Sequence, residues 1–214
     1  MDIQTSLQRN GWAALSCASF GWSEIEQFLA KLDAWPASDP KILRPVSRSV
    51  ARPGTMSAVT GYSRQPLHTD GAHLAEPPRY VVLRCLDPGE RSCPTIIGTL
   101  DWKAITATKP YALYRAGWRV RPRPYQSFQA KIVDEASTHN RIRYDPICMR
   151  PERGGEIAKN ATIQILDMYT YLHVHYWKKG EFLILDNWLV LHGRGDGGDQ
   201  AISRCLERRA YGAV

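Results

Sequence analysis

Gly180-Glu181-Phe182-Leu183-Ile184-Leu185-Asp186-Asn187-Trp188-Leu189-Val190-Leu191-His192-Gly193-Arg194 is the stretch whose reading decides the fold. Two short apolar runs meet at Asp186-Asn187, and Gly180 interrupts the chain ahead of them. Each run is too short for a helix, and apolar runs bounded by turn residues read as buried strands. The second strand ends on His192, so the same stretch that builds core also delivers an imidazole.

Working outward, residues 80–86 (YVVLRCL) form a further buried strand between Pro77-Pro78 and Asp87-Pro88-Gly89. Residues 173–176 alternate as they approach Gly180, and 202–214 can supply a last strand. Helices are fewer. Ser23-Glu24-Ile25-Glu26 reads as a capping box, with Ile25, Phe28, Leu29 and Leu32 at helical spacing and Pro36 as the stop. Asp101 can cap a short helix through Ile105, residues 109–116 read as helical, and residues 161–171 carry Ile163, Leu166 and Met168 on one helical face. Residues 117–150 read as strands and loops. Many short strands with a few helices predict a mainly β fold with flanking helices, a double-stranded β-helix (jelly-roll) barrel, over a βαβ sheet. The expected organisation is one domain over residues 1–214, with an N-terminal helical cover to about residue 40.

The bulk chemistry excludes several classes. With 43% hydrophobic and 23% charged residues the composition is that of an ordinary globular chain, without repeats or low-complexity runs. No stretch approaches the roughly 18 apolar residues of a membrane span, and the N-terminus lacks the pattern of a secretion signal. Five cysteines, odd in number and without CxxC spacing, argue against a zinc ribbon or disulfide framework and for a reducing cytoplasm. The net charge of +7 recurs in local runs at 119–124, 141–143 and 204–209. No strip of basic residues interleaves with aromatics, so a generally basic surface or a small anionic substrate is favoured over nucleic acid.

Leu67-His68-Thr69-Asp70-Gly71 places an imidazole and a carboxylate two residues apart, on one face of an extended segment. His192 offers a second imidazole. Two histidines and one carboxylate leave open positions on the metal, which suits a non-haem Fe(II) that must admit a cosubstrate and O2. Catalytic zinc has three protein ligands and one open position, and fits this demand less well. Alone, an H-x-D pair and a distant histidine arise readily as structural residues.

With LHTDGAH (67–73), YVVLRCL (80–86), GEFLILDNWLVLHGR (180–194) and RCLERR (204–209) together, the chain resembles the Fe(II)/2-oxoglutarate-dependent dioxygenases of the taurine dioxygenase/clavaminate synthase-like group. The resemblance runs from about residue 60 to the C-terminus and is weaker at 107–140. It implies that His68, Asp70 and His192 hold Fe(II). It implies that Arg204, twelve residues after His192, grips the distal carboxylate of 2-oxoglutarate, a role that suits a guanidinium fork. Thr95, 25 residues after Asp70, matches the hydroxyl on the same carboxylate, although Ser-Cys-Pro-Thr lacks the glycine-rich lead-in common in relatives. Arg208 and His73 are the expected substrate contacts, Arg208 competing with a reading as a structural arginine. His173 and His175 read as structural, Arg194 as support for the loop after His192, and Asn187 as a turn stabiliser. Tyr62, Arg64 and Trp188 are candidates for the pocket wall.

The activity so implied is hydroxylation of a small, anionic or amino-acid-like metabolite, with 2-oxoglutarate and O2 as cosubstrates and succinate and CO2 released. Asp70 bears on the outcome, because related halogenases carry a small residue in its place; desaturation and ring closure are the alternatives. Two rival readings stand beside it: a jelly-roll metal-binding protein without turnover, and an oxygenase acting on nucleic acid. A homo-oligomer or partner subunit would be one way to complete a site in so short a chain.

Overall fold

The computed structural model describes residues 2–16, 18–89, 93–121, 127–135, 140–196 and 204–213. Cys17, residues 202–203 and 214 of the expected last strand and the 122–124 part of the basic run lie outside the described residues. In chain order the first elements are α1 (Ile3–Asn10), β1 (Trp12–Leu15), α2 (Trp22–Ala30), β2 (Ala34–Leu43), α3 (Met56–Thr60), β3 (Tyr80–Asp87) and β4 (Thr95–Leu100). Next come α4 (Trp102–Thr108), α5 (Tyr111–Tyr114), β5 (Trp118–Val120), β6 (Phe128–Ala130), β7 (Val133–Asp134), β8 (Arg141–Ile142) and β9 (Met149–Pro151). The chain continues with α6 (Gly155–Met168), β10 (Thr170–His175), β11 (Phe182–Asp186), β12 (Val190–Arg194) and β13 (Cys205–Ala213).

A five-stranded sheet runs β1-β11-β3-β13-β2, and a three-stranded sheet runs β10-β4-β12. All their pairings are antiparallel. β11 is buried at every position, as a strand covered on both faces must be. Phe182 and Ile184 face Ile25 and Leu29 of α2 and Leu7 of α1, while Leu183 and Leu185 join Val81, Leu83, Ile97, Val190 and Leu206 between the sheets. Leu100 and Leu191, on the far face of the small sheet, enter a third cluster with Ile105, Leu113, Trp118 and Leu166. The molecule is mainly β with helices on its flanks. Among the described residues the two sheets share no strand, and their strands are not hydrogen-bonded into a closed barrel.

Several local expectations shift by a few residues for identifiable reasons. α2 starts at Trp22 with Gly21 as its N-cap, and the reciprocal half of the box is Glu24, whose carboxylate accepts the Gly21 N–H at 2.8 Å. The helix ends at Ala30, and Pro36 lies in β2, an edge strand where a missing N–H is tolerated. Asp101 caps α4 as read, accepting from the Ala104 N–H at 2.9 Å. The 182–191 stretch is no hairpin: β11 pairs within the large sheet and β12 within the small one, so the turn at 187–189 carries the chain between layers. Among the described residues no helix is long and apolar enough to cross a membrane.

Candidate metal centre

His68 and His192 are brought together by their own backbones. They form an isolated antiparallel bridge, with His68 N–H donating to His192 O at 2.9 Å and His192 N–H to His68 O at 3.0 Å. Directly paired residues project side chains to one face, and the two rings lie 4.9 Å apart, centroid to centroid. Gly193 makes the approach feasible: a Cβ there would meet the backbone oxygens of Gln65 and Pro66 at 2.8 Å each.

Asp70 follows two residues after His68. Between them Thr69 turns into the protein and is buried, its hydroxyl oxygen accepting from the Tyr144 N–H at 3.1 Å. Gly71, at φ +70°, turns the chain away immediately after the carboxylate. Asn187, fully buried, clamps the Asp70 backbone. Its Oδ1 accepts the Asp70 N–H at 2.8 Å, and its Nδ2 donates to Asp70 O at 3.0 Å and Pro78 O at 2.8 Å.

One atom from each of His68, Asp70 and His192 converges within 4.8 Å of the others. Asp70 Oδ1 lies 3.6 Å from His68 Nε2 and 3.8 Å from His192 Nε2. His68 Nδ1 lies 3.0 Å from Pro66 O; a carbonyl only accepts, so Nδ1 carries the proton and Nε2 offers its lone pair. His192 Nδ1 is buried and has no hydrogen-bond partner among the described residues. Burial pushes His192 down to about 4, which keeps it neutral. Burial opposes ionisation of Asp70, but Arg208 and the two histidines outweigh it and hold the carboxylate well below its usual range. Burial also acts against His68, and its bond to Asp70 raises it in net. Two imidazole nitrogens and a carboxylate oxygen on one spot fit a single Fe(II) with open positions.

A cavity of about 650 Å³ opens over this cluster, and His68, Asp70, His73, Thr95, His192, Arg204 and Arg208 all line it. Arg204 is 9% exposed, and its Nη1 donates to Cys93 O, Pro94 O and Thr95 Oγ1 at 3.2–3.3 Å. Among the described residues no carboxylate pairs with it, and burial pushes it down to about 10. Thr95 faces Arg194 across the strand pair, two residues along from the level of His192, or roughly 7 Å. Its Oγ1 also accepts from Trp177 Nε1 at 3.0 Å, a contact that no motif announced.

Arg208 Nε donates to Asp70 Oδ2 at 2.5 Å, and His73 is exposed at the rim. Arg194 donates to Gly61 O and Ser63 O, tying the loop before His68 to the end of β12. His173 stacks on Trp12, and His175 is buried against Trp177 at ring centroids 4.5 Å apart; neither joins the metal cluster. Tyr62, Arg64 and Trp188 are not part of the cavity wall. Trp188 packs behind it, donating Nε1–H to Pro77 O at 3.0 Å.

The model of the taurine catabolism dioxygenase TauD, TfdA family matches residues 33–210. The chain belongs to the TauD/TfdA family. No curated protein sequence matches it significantly. Among solved structures, this TauD/TfdA chain is similar to asparagine oxygenase (AsnO), with a TM-score of 0.69 and 17% identity over 97% of this chain and 76% of that one. PvcB from Pseudomonas aeruginosa has a TM-score of 0.64 and 19% identity over 99% and 78%. The non-haem iron oxygenase OrfP, in complex with Fe and alpha-ketoglutaric acid, has a TM-score of 0.59 and 18% identity over 80% and 55%. At these identities the likeness is one of fold, and the chain spans little more than half of OrfP.

Proposed function

We propose that this TauD/TfdA-family chain is a non-haem Fe(II)- and 2-oxoglutarate-dependent oxygenase that hydroxylates an unactivated C–H bond of a small, anionic or amino-acid-like metabolite. The observation that carries the reading is Arg204. A buried guanidinium without a carboxylate partner is costly to leave unpaired, and here it shares one cavity with the His68–Asp70–His192 cluster. A small dicarboxylate that reaches from the metal to Arg204 satisfies both. AsnO has been crystallised with Fe(II), 3-hydroxyasparagine and succinate, which is the product set such a reaction gives.

His68, Asp70 and His192 would hold the iron. Bound there with 2-oxoglutarate and O2, the metal supplies the oxidising power: one oxygen atom enters the substrate, and the other leaves in succinate as CO2 is released. The protein's own part is orientation. Arg204 offers its free N–H donors to the distal carboxylate. Thr95 Oγ1 already accepts from both Arg204 and Trp177, so its own O–H is directed outward as a donor to the same carboxylate. Leu83 and Leu206 give the inner wall an apolar surface that excludes water. At the mouth, Lys41 and Arg44 of the β2 side have no ion-pair partner among the described residues and would draw an anionic substrate.

The two facing sheets are read as a jelly-roll whose rims are not closed by hydrogen bonds, forming one domain. The compartment proposed is a reducing cytoplasm, where Cys85, Cys93, Cys148 and Cys205, all free thiols, stay reduced.

Anaerobic addition of Fe(II) and 2-oxoglutarate should produce a visible charge-transfer band that His68→Ala and Arg204→Ala lose. A folded, metal-loaded wild type without the band would reject the reading. Slow substrate-free succinate formation would separate it from a metal-binding protein without turnover. Screening amino acids and other small anions for stimulated succinate release then identifies the substrate.

A further inference from the structure

The two oxygens of Asp70 have different partners. Oδ1 faces His68 Nε2 and His192 Nε2 at 3.6 and 3.8 Å, whereas Oδ2 receives Arg208 Nε–H at 2.5 Å. The backbone of Asp70 is held separately by Asn187, and the Arg208 bond is what distinguishes its two oxygens. Asp70 is the only carboxylate paired with Arg208 among the described residues, and the pair is largely buried, with side chains 11% and 21% exposed. Arg208 lies opposite Lys41 in the β13–β2 register. Two like charges face each other there, which is unfavourable in a sheet, and the bond to Asp70 offsets the repulsion.

We infer that Arg208 is a positioning residue, which occupies Asp70 Oδ2 so that the carboxylate offers the metal one oxygen and not two. The inference rests on the Fe(II)/2-oxoglutarate reading of the site. Its consequence follows from counting. Two histidines and one carboxylate oxygen leave about three of six octahedral positions open. A cosubstrate that chelates through two atoms leaves one for O2. If both carboxylate oxygens bound, the chelate would fill the remainder and O2 would have no place. Arg208 therefore acts on oxygen entry through Asp70 by its Nε–H.

The test counts water ligands on Mn(II) bound to the anaerobic protein, by line broadening in 17O-enriched water. Arg208→Met keeps the aliphatic stem and removes the donor. Arg208→Gln places an amide nitrogen the same number of bonds from the backbone as Arg Nε, and so restores it. Wild type and Arg208→Gln should show about three waters, and Arg208→Met about two. In turnover, Arg208→Met should bind 2-oxoglutarate with an unchanged charge-transfer titration but lose 10-fold or more in kcat, with Arg208→Gln recovering part of it. A purely structural arginine would leave the water count unmoved. Two waters in the wild type, or three in Arg208→Met, would overturn the inference. If Arg208→Met does not fold, Arg208→Leu, which also lacks the donor, is counted in its place and must show the same loss of one water. A wild type that binds no Mn(II) at all would instead count against the metal reading itself.

Discussion

At the scale of single residues, the tightest constraint is Gly193. Any side chain there collides with two backbone oxygens of the segment that delivers His68, and backbone cannot move aside as a flexible side chain can. Gly193→Ala should destabilise the protein by about 1–3 kcal/mol and weaken Mn(II) binding roughly 10-fold or more, measured by thermal unfolding and metal titration. Trp177→Phe is the contrasting case: the ring stays, and the Nε1–H to Thr95 goes. It should raise the Kd for 2-oxoglutarate about 2- to 10-fold, the worth of one hydrogen bond, with the His68–Asp70–His192 cluster and metal affinity unaffected. Spacing alone could not have exposed Trp177, because it meets Thr95 82 residues away and belongs to no motif. Asn187 was visible only as a turn residue. Its three bonds to Asp70 and Pro78 depend on loops brought in from more than 100 residues earlier. His68, Asp70 and His192 were accessible because LHTDGAH and GEFLILDNWLVLHGR resemble a known family's blocks; the H-x-D step alone reads as readily structural.

Among the elements, strand existence followed from composition more reliably than strand partnership. The runs at 80–87 and 182–186 are apolar at nearly every position, which already implies central strands. The chain leaves the large sheet at the 187–189 turn, where Trp188 is lodged between Arg79 and Arg141, side chains distant in sequence that the local pattern does not reveal. β2 was the least accessible strand. Nine of its ten residues are exposed, and two prolines interrupt any alternation, so its pattern resembles a loop. Yet β2 supplies a cavity wall. Lys41→Glu should raise KM for an anionic substrate about 10-fold or more while leaving substrate-free conversion of 2-oxoglutarate intact, assayed as succinate formed with and without substrate. Equal KM in both proteins would remove Lys41 from substrate recognition.

Across the whole molecule, charge is distributed unevenly. Residues 40–69 carry Lys41, Arg44, Arg48, Arg52 and Arg64 with no Asp or Glu, and Lys41 and Arg44 stand at the cavity mouth. Encounter with an anionic substrate should therefore slow as salt rises, whereas binding of a neutral analogue should not. Acid stability is a second global property. Burial lowers His175, His73 and His192, the last to about 4 from an ordinary 6.5. A base whose folded value lies below its unfolded one contributes fully above pH 6.5 and loses that contribution as pH falls toward the folded value. His68, shifted up, works in the opposite sense. The metal-free protein should thus lose stability between pH 6.5 and about 4, followed as the urea midpoint. His175→Gln should flatten that slope without touching the metal cluster.

The reciprocal backbone pair between His68 and His192 ties occupancy of the centre to amide hydrogen exchange. Each amide is protected only while the other residue's carbonyl stays in place. An ion gripping both rings must be released before that pair can open, so its binding free energy adds to the free energy of local opening. Deuterium uptake at those two positions therefore reads out metal loading in a protein with no colour and no substrate, and should slow in proportion to the free metal concentration above its Kd.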